Sequence, residues 1–124
     1  MTYKVKVKPT YGRGCFAVRP LKQGSIILEC EIIEMSAKET LIIRNTKLNF
    51  YDFKVSRNRT CVVIGDGSCM NHRDPPNTSY KLVKRGSRFI MRYRALVDIE
   101  IGEQLFINYK HDCTKKDWAE IFNL

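Results

Sequence analysis

Asn71-His72-Arg73-Asp74-Pro75-Pro76-Asn77 is the stretch from which the rest of the chain is best read. Its two prolines hold φ at about −65° and carry no backbone N–H, so no helix or central strand runs through them. Asp74 and Pro75 each precede a proline and are held towards extended geometry. The segment is therefore a stiff, irregular loop with an amide and an imidazole at its head and a second amide at its foot. Gly65-Asp66-Gly67-Ser68 lies just upstream, and a β-rich segment begins at Ser79. Stiff polar loops between strands are common places for binding groups. Taken alone, the loop reads first as a surface turn.

Working outward, Tyr3–Lys8 alternates basic and apolar residues with period two, the pattern of a half-buried strand. Pro9 and Gly12-Arg13-Gly14 read as a turn, Cys15–Val18 as a short strand, and Ser25–Glu34, rich in β-branched residues, as a longer one. Ser36 and Glu39 have capping-box spacing, which predicts a short helix to about Arg44. Phe50–Val55 and Cys61–Ile64 are short strands. Tyr80–Lys84 and Arg88–Leu96 flank Arg85-Gly86-Ser87 as a hairpin. A turn at Asp98–Gly102 leads into a last strand, Gln104–Tyr109. Thr114–Asp117 can cap a C-terminal helix over 114–124 that carries Trp118, Ile121 and Phe122. The pattern is mainly antiparallel β with short helices, a small barrel or sandwich on periodicity alone.

The 124 residues suffice for one domain, 1–124, and no apolar run approaches the length of about 20 needed to span a bilayer. The first residues lack the apolar block of a secretory signal, so an intracellular location is expected. Five cysteines without Cys-x-x-Cys or zinc spacing imply neither a disulfide framework nor a metal site. A net charge of +9 suggests an acidic partner, with nucleic acid or a nucleic-acid-coated substrate foremost, or serves solubility alone. To hold a basic peptide, so basic a protein would need local carboxylates; Glu29, Glu31, Glu34, Glu39 and Asp52 are the available supply.

Singly, Gly12-Arg13-Gly14 marks only a turn, and since it opens no helix after a strand the dinucleotide fingerprint does not apply. Gly102-Glu103-Gln104-Leu105 followed by Tyr109 is singly a turn and a strand. Gly-x-Gly, then Asn71-His72 with Pro76-Asn77, then Gly102-Glu103 with Leu105 and Tyr109, in that order and spacing, resembles the SET-domain protein lysine methyltransferases. Tyr11–Ala17, Gly65–His72 and Arg94–Glu103 are similar to the family's sequence around those motifs. The likeness runs from about residue 11 to 109. It implies a SET-domain β-clip fold, several small curved sheets with a C-terminal pseudoknot made by the Asn-His segment and the chain end. It also implies S-adenosylmethionine as methyl donor and a lysine side chain, with a histone tail the expected substrate.

By the same resemblance Gly12, Arg13 and Gly14 would pass along the donor's methionine part, Asn71 would hold its amino or carboxylate end, and His72 would meet the adenine. Tyr109 would be the catalytic tyrosine, Asn77 and Glu103 structural braces. Tyr51, Phe53 and Tyr80 are the aromatic candidates for the lysine channel, although each also suits hairpin or core packing. The family often has Ser-Cys where Arg73-Asp74 stand here. Cys113 falls where many members place a second channel aromatic. With no zinc-binding cysteine cluster and no flanking domains, the chain looks like the minimal, free-standing form of some viruses and bacteria. That form implies the host nucleus if viral, otherwise cytoplasm or nucleus. Such small forms can dimerise, which the apolar C-terminal helix would support, and the net positive charge suggests contact with nucleosomal DNA. The alternatives are a non-catalytic basic module of the same fold that binds nucleic acid or chromatin, and an unrelated small barrel.

Overall fold

The computed structural model describes residues 1–8 and 12–109. The alternation of Tyr3–Lys8 folds as strand β1, and its antiparallel partner is β2, Gly12–Ala17, from Tyr3 opposite Ala17 to Lys8 opposite Gly12. The glycine pair expected to turn the chain is thus part of a strand. The reason is pairing: β1 presents a row of N–H and C=O groups that need partners, and β2 supplies them. Turn character survives only at its first residue, where Gly12 has φ +72°.

Strand β3, Ile26–Glu34, is followed by helix α1, Ala37–Ile43. The capping box is formed: the Ser36 hydroxyl accepts from the Glu39 N–H, and the Glu39 carboxylate accepts from the Ser36 N–H. Those two bonds hold a helix that Ile42 and Ile43 do not favour. Its one buried residue, Thr40, takes the Thr60 N–H at 3.1 Å and so pins the helix to β5. A 3-10 turn, Lys47–Phe50, leads to β4, Asp52–Lys54, and then to β5, Thr60–Ile64. A second 3-10 turn, Asp66–Cys69, precedes β6, Asn71–His72. The expected hairpin is present as β7, Thr78–Arg85, and β8, Arg88–Ala95, turned at Gly86 with φ +64°. The last described strand is β9, Gln104–Ile107, two residues shorter than expected.

These strands make two sheets, β1-β2-β9-β6 and β4-β5-β3-β8-β7. Cys15, Leu105 and Ile107 of the first meet Cys30, Cys61, Met91 and Tyr93 of the second in one buried cluster. The architecture is the expected one, mostly strands in small curled sheets with a single α-helix among the described residues. Burial pushes the Cys15 and Cys61 thiols up to about 12, so both pack as small apolar groups. Among the described residues no His, Cys, Asp and Glu cluster could hold a metal ion. None of their helices is long and apolar enough to cross a membrane. Tyr11, the expected 114–124 helix and Cys113 lie outside the described residues.

Candidate active site

Asn71 and His72 do not float in a loop. They form the two-residue strand β6, which runs parallel to β9 with Asn71 beside Phe106 and His72 beside Ile107. The pairing draws together residues from three distant parts of the chain. The Asn71 side-chain N–H₂ donates to the Arg13 carbonyl at 2.8 Å and to Gln104 Oε1 at 2.9 Å, joining β2, β6 and β9. Both its donors are then used, while its carbonyl oxygen has no partner among the described residues. A Cβ on Gly14 would lie 2.6 Å from Gln104 Oε1 and 3.1 Å from Asn71 Nδ2. Glycine is therefore what lets the two amides meet against β2. At Gly12 the corresponding position has nothing within 4 Å among the described residues.

Beyond the prolines, Asn77 is buried and works as a short substitute for a neighbouring strand. Its side-chain N–H₂ donates to the Gln104 carbonyl and its Oδ1 accepts from the Phe106 N–H, both at 2.8 Å. Its own carbonyl takes the Leu96 N–H at 2.8 Å. The side chain of Arg73, the departure from the family pattern, lies over the Phe106 ring at 4.6 Å and donates to the Pro75 carbonyl. It thereby closes the loop onto β9 by a cation–π contact. The Asp74–Pro75 peptide bond is cis.

Tyr109 sits just past β9. Its N–H donates to His72 Nδ1 at 2.9 Å, and its hydroxyl donates to the Met70 carbonyl at 2.8 Å, one residue from Asn71. The imidazole and phenol rings are 5.2 Å apart. Burial first, and the neighbouring Tyr51 second, push the Tyr109 phenol above its usual range, so it is a neutral hydroxyl whose proton points at Met70. The oxygen lone pairs are left for whatever occupies the space beside it. The His72 ring nitrogen facing Tyr109 accepts a hydrogen bond, which puts the ring proton of neutral His72 on Nε2.

Of the three channel aromatics, Tyr80 is buried on β7, and its hydroxyl donates to the Asn108 carbonyl at 3.1 Å, next to Tyr109. Phe53 packs edge-on against it with centroids 5.1 Å apart. Tyr51 follows the Lys47–Phe50 turn and is 46% exposed, near enough to Tyr109 to affect its ionisation. Phe53, Tyr80 and Tyr109 thus form a connected group with Tyr51 at its outer side, while Gly12, Arg13, Gly14 and Asn71 form a second group, bridged to the first by His72 and Met70.

Two participants were not read from the sequence, Gln104 and the Met70 carbonyl. Gln104 occupies a variable position of its motif, and a backbone carbonyl leaves no trace in residue identity. The carboxylates read as a supply for a basic peptide are mostly committed. Glu29 pairs with Arg92 at 2.6 Å and Arg85 at 3.1 Å, Glu31 with Arg88 at 2.9 Å, and Glu34 with Arg59 at 3.8 Å. Glu39 is held in its capping box. They are taken because cross-strand register sets Glu29 opposite Arg92, a pairing that the linear sequence does not display.

No curated protein matches this chain. A solved structure from Plasmodium falciparum, described as a candidate histone methyltransferase, superposes with a TM-score of 0.75 at 26% identity. The match covers 92% of this chain and 97% of that one. The family model described as SET domain matches residues 12–110, the span that runs from β2 through the β6–β9 crossing to Tyr109. Sequence span and spatial arrangement agree, and the chain belongs to the SET-domain family.

Proposed function

We propose that the protein is a protein lysine N-methyltransferase that uses S-adenosylmethionine, and that its substrate is a lysine of a histone tail. The observation that carries this reading is the Tyr109 hydroxyl, bonded to the Met70 carbonyl between the Asn71 group and the aromatic group. Membership of the family and the Plasmodium falciparum neighbour support it.

The residues fit the donor. Asn71 offers a carbonyl oxygen with no other partner among the described residues, suited to an ammonium, and among the same residues Gly12 borders room for a ligand beside the backbone. Asn71, His72 and the Gly12-Arg13-Gly14 strand would hold it. When bound, S-adenosylmethionine supplies a methyl group on a positively charged sulfur. The protein's own contribution is alignment and proton control. A lysine amine, with a reference pKa of about 10.4, must arrive neutral, and aromatic walls such as Tyr80 and Phe53 disfavour its charged form. The proton passes to water before the amine is enclosed. Tyr109 turns its lone pairs towards the reacting methyl, where weak C–H···O contacts favour one orientation. Holding donor and acceptor in line accounts for much of such a rate enhancement.

Incubation with labelled donor and mixed histones, with the product located by mass spectrometry, should show one methylated lysine site. Tyr109→Phe removes the hydroxyl while leaving the ring, and should lower kcat roughly tenfold or more, the scale of one or two lost weak contacts plus misalignment. Donor affinity should stay within about twofold, since Tyr109 makes no bond to Asn71 or Gly12. Unchanged turnover in this variant would remove Tyr109 from its role.

A further inference from the structure

We propose that the outer face of the β7–β8 hairpin is a docking surface for the phosphate backbone of duplex nucleic acid. Between Asp74 and Asp98 the chain has six cations and no carboxylate, namely Lys81, Lys84, Arg85, Arg88, Arg92 and Arg94. Register sorts them. Tyr80 and Leu82 face the core opposite Tyr93 and Met91, so Lys81 and Arg85 lie on the other side, with Arg94, Arg92 and Arg88 across from them on β8. One strand therefore carries Tyr80 towards the active site and Lys81 away from it.

Neutralisation of this face is incomplete. Five cations share it with two carboxylates from β3, Glu29 and Glu31. Glu29 and Glu31 fix Arg85, Arg88 and Arg92 in place but leave Lys81 and Arg94 without a carboxylate among the described residues. A cleft of about 430 Å³ runs along the edge strand and is bordered on this face by Ser79, Lys81, Arg92 and Arg94. From Arg88 to Arg94 the row extends about 20 Å at a strand rise of about 3.3 Å per residue, a length over which a duplex presents about a dozen phosphates. The outward positions of the hairpin carry no aromatic ring, so the face lacks the stacking platform that single strands use. It suits a polyanion recognised by charge, without reading of sequence. Because the face is turned away from Tyr80, a bound duplex leaves the site open to a peptide.

The test is fluorescence anisotropy of the full chain with a labelled 20-base-pair duplex across a salt series, with circular dichroism of each variant. The expected result is a linear fall of log K with log salt, with a slope of roughly −3 to −4 for three to five contacts. Lys81→Gln with Arg94→Gln should reduce the slope by about 2 and weaken binding roughly tenfold or more at 100 mM salt. Lys22→Gln with Lys38→Gln, an equal charge change in a turn and on α1, should leave both within about twofold. Equal losses in the two double variants would mean that net charge alone binds, and would overturn the assignment. So would absence of duplex binding at 50 mM salt, or tighter binding of a single strand or of polyglutamate than of the duplex.

Discussion

Gly14 shows how one missing side chain arranges a site. The atoms a Cβ would strike are the ends of two amide side chains, not backbone, so the fold has a way to yield. Gly14→Ala should therefore cost little stability, under about 1 kcal/mol, because Gln104 can swing aside. What it should lose is the Asn71–Gln104 bond, and with it the fixed direction of the Asn71 carbonyl. A net hydrogen bond of about 1 kcal/mol corresponds to a fivefold change, so calorimetric donor affinity is expected to fall about fivefold with the urea midpoint nearly unchanged. A large drop in stability with donor affinity preserved would contradict this account. At Gly67 the constraint is of another kind. Its Cβ would strike the buried Tyr93 ring, whose hydroxyl is also the one buried side-chain polar atom without a partner among the described residues.

Among the elements, β9 depends on a residue that belongs to no strand. Its Gln104 carbonyl and Phe106 N–H are satisfied by the Asn77 side chain, 3% exposed, at the foot of the proline loop. Asn77→Ala would leave both groups without partners in a largely closed space, at about 1–3 kcal/mol for each unsatisfied group after partial relaxation. The expected outcome is a loss of roughly 2–4 kcal/mol in urea unfolding; a change below about 0.5 kcal/mol would show that water replaces the side chain without penalty. Elements of this sort divide what the sequence reveals from what it withholds. The Tyr3–Lys8 alternation, the Ser36–Glu39 box and the Arg85-Gly86-Ser87 turn are local patterns, and each forms where it was expected. The inclusion of Gly12 and Gly14 in a strand is set by pairing with β1, and the Asn71–Gln104 bond and the engagement of Glu29 by partners dozens of residues away. Periodicity carries no record of such partners. Asn77 was legible as a brace only through its place in a family motif.

Across the whole molecule the charges are arranged, not merely numerous. Most of the carboxylates of β3 are bound to arginines, and the positive excess is left on the outer surfaces. Glu29 shows the consequence for pH. Hydrogen bonds from Arg92 and then Arg85 hold its carboxyl below the usual carboxylate range. A group with a lowered folded pKa contributes stability above its unfolded pKa, and that contribution is lost as pH falls through the folded value. Wild type should exceed Glu29→Gln in urea midpoint at pH 6, and the gap should close as the pH drops below about 4. A gap that persisted at pH 2.5 would assign the effect to packing. The pair is partly exposed, so the difference should also shrink in 1 M salt.

The β6–β9 pairing has a consequence in time as well as in space. Asn71 and its partner Phe106 are 35 positions apart, and the stretch between them holds the eight-rung β7–β8 hairpin, which needs nothing beyond Ala95 to close. During synthesis the hairpin can form while Gln104 and Tyr109 are still to be added. The Asn71–Gln104 pairing and the Tyr109 phenol then appear together, in a single late step. A chain caught on the ribosome or cleaved near Gly102 would present the cationic ribbon with no chemistry attached to it.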